Sequence, residues 1–226
     1  MPVLSQSARK ANILFFQNNW DSFDEIANNL ASEQYFFGFP FMVGGGIDEK
    51  GINSVISGMK YSHTPIGELN GESTPRVQKI VKALDEAGLK PVVHNQIKVW
   101  LISHYAVAVG LSAGIIKAGS AGNFVRNTSI VKEAIKAVRE GLNICKERGI
   151  NPKDEKTNSL YYLPLFISSA IAKKIYSNEA LQLMFDGHTK HSPDEMKKMI
   201  DDIIEYGKKY NVETPNLINL RRHIIP

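Results

Sequence analysis

Apolar and polar residues change rhythm near residue 95 of this 226-residue chain. Before that point, short apolar runs alternate with turn residues. The run ILFFQ (13–17) predicts a buried strand, because polar residues hardly interrupt it. DSFDEIANNL (21–30) predicts a short helix, with Ser22 and Glu25 spaced as a capping box. YFFGFPFMV (35–43) is aromatic and apolar and stops at Gly44-Gly45-Gly46, which reads as a flexible connection. GINSVIS (51–57) and YSHTPIGEL (61–69) predict a pair of strands. Thr74-Pro75 opens a helix to about Ala87, with Thr as cap and Pro at the first helical position. Gly88 ends it, and KPVVH (90–94) predicts a last short strand.

After residue 95 the period is helical. NQIKVWLISHYAVAVGLSAGIIKAG predicts one long apolar helix ending at Gly119. Asn127-Thr128 caps a helix running to Gly149, with Ile130, Ala134, Ala137, Val138 and Ile144 on one face. Residues 157–177 predict another helix, interrupted by Pro164. SPDEMKKMIDDIIEYGKKY (192–210) is amphipathic, with Met196, Met199, Ile200, Ile203 and Ile204 on its inner side. Pro215 starts a short terminal segment. The expected fold class is α/β followed by all-α, with an α/β part over 1–94 and a helical part over 95–226.

Composition narrows the class. Hydrophobic residues make up 43% and charged residues 22%, which excludes collagen, mucin-like stalks and bulk disorder. A single cysteine, Cys145, excludes an internal disulfide framework and a Cys-based zinc cluster. A reducing compartment, the cytoplasm, is the expected location. Residues 1–95 carry 8 Lys+Arg against 10 Asp+Glu, and residues 96–226 carry 19 against 13. The basic residues are interspersed with acids, as in KEAIKAVRE, so they read as solvated helix faces and no nucleic-acid partner is expected. The start, MPVLSQSARKAN, lacks the basic-then-apolar order of a signal peptide. Between Lys98 and Lys117 no Asp, Glu, Lys or Arg occurs. That stretch is short of the ~20 residues a span needs and holds Ser103, His104, Tyr105, Gly110 and Ser112. It reads as a buried central helix rather than a membrane segment.

Several residues are candidates for chemistry. Asn18 and Asn19 follow the first strand directly, where ligands bind in open α/β sheets. An amide there can donate and accept, though a polar turn explains it equally. Trp100 and His104 lie four apart on one helix face, so His104 is a candidate general acid or else a satisfied core histidine. His188 and His191 lack a third ligand at metal spacing, so no metal site is expected. Glu195 fits a capping box with Ser192, which explains it structurally. The triple glycine lacks Gly-x-Gly-x-x-Gly spacing and is weak as a phosphate loop.

The order of these elements resembles the ketopantoate reductase (2-dehydropantoate 2-reductase) family from about Asn12 onward. The anchors are ILFFQNNWDSFDEI, FGFPFMVGGG, PIGELNGE, HNQIKVWLISHYAVAVGLSAGI and DEMKKMIDDIIEYGKKYNVETPNLINL. The resemblance implies a partial Rossmann-like domain followed by a helical domain of the 6-phosphogluconate dehydrogenase C-terminal type. It implies NADP-dependent reduction of a small 2-oxo acid, or oxidation of a 2-hydroxy acid, as in pantothenate biosynthesis, and a homodimer built on the helical domain. It carries Asn18 over as the residue closing the nicotinamide pocket and Glu195 as a cofactor-ribose contact. Asp186 stands near the family's serine before the late helix, as a substrate contact.

Departures from the family pattern matter as much. The catalytic lysine position is Ile102, and two substrate-pocket asparagines fall at Ala106 and Gly110. His104, beside that face, is the remaining candidate acid. The glycine turn that holds the cofactor pyrophosphate has no counterpart in this sequence. The expectation is a chain that begins with the last part of a dinucleotide-binding domain. The alternative is a non-catalytic binding or dimerisation module derived from the family.

Overall fold

A computed structural model of the chain describes residues 5–6, 11–20, 23, 30–41, 43–56, 63–191 and 193–225. The predicted helix over 21–30, with its Ser22–Glu25 box, lies almost wholly outside the described residues, as does Ser192. The chain forms two compact units, one of Met1–Met42 with Gly58–Ile102, the other of Val43–Ser57 with Ser103–Pro226.

The first unit is built on a mixed sheet of β1 (Ile13–Phe16), β2 (Tyr35–Gly38), β5 (Thr64–Gly67) and β6 (Pro91–Val93), in that order. β1 and β2 are parallel, with Ile13 opposite Tyr35. β2 and β5 are antiparallel, and β5 and β6 parallel. Side chains alternate across a strand, so Phe36 points to one face and Tyr35 and Phe37 to the other. Phe36 packs with Ile66 and with Val77 of helix α1 (Pro75–Glu86) in a fully buried cluster. On the other face Phe37 stacks on Phe15 at 5.4 Å between ring centres and meets Phe23 edge-on at 4.9 Å. Both faces are covered, and that is why these strands read as unbroken apolar runs. The Thr74 side chain accepts the Val77 N–H and caps α1, as its sequence predicts.

A buried ion pair ties this unit together. Glu68, 4% exposed, accepts from Arg76 Nε at 2.7 Å and from Thr74 Oγ1 at 2.5 Å. Arg76 also donates to the carbonyls of Ser32 and Tyr35 at 3.1 and 3.0 Å. Burial alone would raise the Glu68 pKa, but the hydrogen bonds from Arg76 and Thr74 and the guanidinium charge outweigh it and hold the carboxyl below its ordinary value.

The second unit is helical apart from one hairpin. β3 (Val43–Asp48) pairs antiparallel with β4 (Gly51–Ile56), Val43 opposite Ile56. Gly44-Gly45-Gly46 is therefore strand and not a flexible connection. Segment 51–56 pairs with β3, and the strand beginning at Thr64 pairs instead with β2 and β6. The helices are α2 (Ile97–Ala118), which begins in the first unit, α3 (Ala121–Arg126), α4 (Thr128–Glu147), α5 (Leu165–Tyr176), α6 (Glu179–His191), α7 (Pro193–Lys209) and α8 (Pro215–Arg221). The Asn127 side chain caps α4. A 3-10 segment, Lys156–Tyr162, precedes α5, so the predicted helix over 157–177 is two elements separated at Pro164. α3 and α6 have no counterpart in the sequence pattern.

Small residues set the distance between α2 and α4. A Cβ on Gly110 would stand 2.6 Å from Val138 Cγ2, and one on Gly141 would stand 2.9 Å from Ala106 Cβ. Contacts this close let two helix backbones approach without side chains between them. α8 is capped from a distance: Thr214 gives no side-chain cap, and Glu140 of α4 accepts the backbone N–H groups of Asn216 and Leu217 at 3.0 and 2.9 Å. The order of a small strand-bearing part and a helical part agrees with the expected fold class.

Candidate functional site

α2 is apolar nearly all round, so its own sequence does not say which side faces a core. Among positions 101–110, only His104, Val107 and Ala108 are less than fully buried. Ile102 and Ala106 are 1% and 0% exposed, and Gly110 is packed on α4. The face on which the resemblance places lysine and asparagine is therefore solid core. The face bearing His104, Val107 and Ala108 is half-buried.

His104 belongs to the same unit as His188 on α6. Burial lowers the His104 pKa to about 4, and the charge of His188 adds to the effect. Its ring is neutral at pH 7. A neutral ring can accept a proton. A substrate carboxylate placed beside it would raise the pKa toward neutrality.

Asp186, two residues before His188, accepts the backbone N–H of Ala121 at 2.7 Å. The carboxylate helps Ser120 satisfy the start of α3, a structural duty. Gly44 of β3 lies against α6 so closely that a Cβ there would meet Met184 Cγ at 2.0 Å. The β3 backbone at Gly44 thus lies directly against the helix that carries Asp186 and His188. Glu195 is exposed in the first turn of α7, where a carboxylate complements the helix dipole. Among the described residues, no group of three or more His, Cys, Asp or Glu side chains could hold a metal ion.

Asn18 lies in the first unit, half-buried just beyond the carboxyl end of β1. Its neighbour Asn19 is 2% exposed. Asn19 Oδ1 accepts from Gln17 Nε2 at 3.0 Å, whereas Asn19 Nδ2 finds no partner among the described residues. A buried amide donor left unpaired costs roughly 1–3 kcal/mol. The sequence pointed to both residues by their position after a strand, and the resemblance singled out Asn18.

The residues present match a dinucleotide at one end only. Amides after β1 suit a nicotinamide or ribose, but the chain has no glycine turn for a pyrophosphate. Its triple glycine is committed to the β3–β4 ladder.

No protein-family model matches the chain. No curated protein matches it. Solved structures do. A D-mandelate dehydrogenase in complex with NADH aligns with a TM-score of 0.70 at 16% identity, over 98% of this chain and 72% of its own. A provisionally assigned ketopantoate reductase from Ralstonia solanacearum MolK2 aligns with a TM-score of 0.64 at 14% identity, over 90% of this chain and 58% of its own. A 2-dehydropantoate 2-reductase from Porphyromonas gingivalis W83 gives 0.60 at 12%, over 96% and 64%. The chain has a ketopantoate reductase-like fold and spans 58–72% of the length of these structures. By length and composition alone α2 could cross a membrane; 67% of its most apolar stretch is buried within this fold.

Proposed function

We propose that this chain forms the larger part of an oxidoreductase that interconverts a small 2-oxo acid and its 2-hydroxy acid with a nicotinamide cofactor. The observation that carries the reading is His104, a half-buried neutral imidazole on the long central helix of a ketopantoate reductase-like fold. As an acid–base group, His104 takes the hydroxyl proton of a 2-hydroxy acid when the ring is neutral, and returns it to the oxygen of a 2-oxo acid when charged. Reduction is therefore favoured by acid pH and by a bound carboxylate that raises the pKa. The bound cofactor would supply and accept the hydride.

NADP is the preferred cofactor on the resemblance alone, with Asn18 and Glu195 as its contacts and the pyrophosphate held by a glycine-rich βαβ unit from elsewhere. The buried, apolar positions 102, 106 and 110 favour a substrate less polar than ketopantoate. Asp186, already bonded to Ala121, is a weaker substrate contact than the sequence suggested. The cytoplasm is the proposed location.

Titrating NADPH and NADH into the chain, alone and fused to a glycine-rich βαβ unit, tests this. Binding by the fusion, followed by turnover that His104→Gln abolishes, supports the reading. No nicotinamide binding by either form overturns it. The second reading, a non-catalytic module, is favoured by Ile102, Ala106 and Gly110 all lying in packed core. It predicts cofactor binding without turnover of any 2-oxo or 2-hydroxy acid.

A further inference from the structure

A cavity of about 620 Å³ opens where α2 and α3 end and α4 begins, lined by Lys117, Asn123, Arg126, Asn127 and Thr128 among others. It lies about 20 Å along α2 from His104, at 1.5 Å per residue, and is therefore separate from the position on which the reductase reading rests. Three cations converge on it. Lys117 sits in the last turn of α2 and Arg126 in the last turn of α3, where cations suit the helix dipole. Lys173 arrives from α5 and donates to Thr128 Oγ1 at 2.9 Å.

Only one of these charges is cancelled nearby. Lys117 Nζ lies 2.7 Å from Glu133 Oε2. Arg126 Nη2 donates to Asn123 Oδ1 at 2.8 Å, a neutral acceptor that orients the guanidinium and uses one of its five donors. Lys173 likewise bonds a neutral hydroxyl. Among the described residues no carboxylate forms an ion pair with Arg126 or Lys173, and the lining holds no Asp or Glu. The first amides of α4 play no part, because Asn127 Oδ1 accepts the Ser129 and Ile130 N–H groups at 3.2 Å. The charge and the donors of the cavity are those of its side chains.

We propose that this cavity binds a small organic phosphate that carries hydroxyl groups. The proposal rests on the cavity alone and does not depend on the reductase reading. Arg126 and Lys173 supply two positive charges against one phosphate dianion, the guanidinium as a fork on two oxygens and the ammonium as a point charge. The side-chain oxygens of Asn123 and Asn127 already accept hydrogen bonds, so the two amides offer their N–H groups to oxygens of the ligand. The Thr128 hydroxyl, which accepts from Lys173, donates its own proton in the same way. A lining rich in donors selects an oxygen-rich, anionic ligand. It holds no aromatic side chain on which a nucleobase would stack, which sets this ligand class apart from a dinucleotide. The volume falls within the range of roughly 300–1,000 Å³ usual for small-molecule sites.

Isothermal titration of the full chain at low ionic strength tests the proposal, with glycerol 3-phosphate, inorganic phosphate and citrate as probes. The expected result is one glycerol 3-phosphate per chain, bound more tightly than inorganic phosphate, which leaves the amide donors unused, and more tightly than citrate. Arg126→Gln and Lys173→Gln should each raise its dissociation constant at least about tenfold, with helical ellipticity unchanged. Lys79→Gln removes a charge at an exposed position on α1, serves as control and leaves the affinity intact. No saturable binding of glycerol 3-phosphate, an affinity unchanged in either cavity variant, equal weakening by Lys79→Gln, or binding of inorganic phosphate or citrate that equals or exceeds it would each overturn the proposal.

Discussion

Gly110 and Val138 meet so closely that a Cβ on Gly110 would lie 2.6 Å from Val138 Cγ2 and 2.8 Å from the Val138 backbone nitrogen. This contact packs one side of α2 directly against α4. A side chain at 110 has nowhere to go, and four residues earlier Ala106 meets Gly141 in the same seam.

Gly110→Asn should destabilise the second unit by at least about 2 kcal/mol, since it combines overpacking with an amide lacking partners. Urea unfolding followed by far-UV ellipticity checks this. An unchanged midpoint would mean that the α2–α4 seam is looser than the contact implies.

His104 makes stability pH-dependent in a defined window. Its folded pKa, about 4, lies below the ordinary 6.5. The unfolded chain therefore takes up a proton first, and stability present above pH 6.5 is lost as pH falls toward 4. The loss is at most about 3 kcal/mol. His104→Gln should show a shallower decline over that window when melting temperatures of the two proteins are compared.

Arg76→Met should destabilise the first unit by about 3–5 kcal/mol, because Glu68 is left buried without its partner. Adding Glu68→Met should recover much of that. Both tryptophans, Trp20 and Trp100, belong to the first unit, so their fluorescence isolates its unfolding. The folded Glu68 pKa is lowered from 4.5, so its contribution is present above that pH and is lost as pH falls through the folded value. The gap between wild type and the double variant should narrow in acid accordingly.

Glu140→Ala removes the carboxylate that accepts the Asn216 and Leu217 N–H groups and should cost roughly 2–3 kcal/mol, the range for hydrogen bonds to a charged group. Hydrogen exchange should show α8 amides losing protection before those of α4. Equal loss in both helices would mean that α8 does not open separately.

Much of the element list was legible because its signals are local. Thr74 and Asn127 cap the helices that their residue types announce, and Pro164 separates two elements as proline chemistry requires. The glycine triplet misled because absence of side chains signals a loop as readily as a strand pressed against a helix. The ladder with β4 and the packing of Gly44 on Met184 distinguish the two. α6 escaped notice because its residues carry no clean apolar period, although it bears both Asp186 and His188.

The sequence by itself determined the longest helices, the caps at Thr74 and Asn127, and the α/β-then-helical division of the fold, since those depend on the 2- and 3.6-residue periods and cap chemistry of neighbouring positions. It also placed Asn18 after a strand and Glu195 at the start of a helix. Tertiary structure alone decided which face of the uniformly apolar α2 is core, and that Asp186 and Glu140 serve helices far along the chain. Those outcomes depend on contacts between residues distant in sequence, and no local period records them.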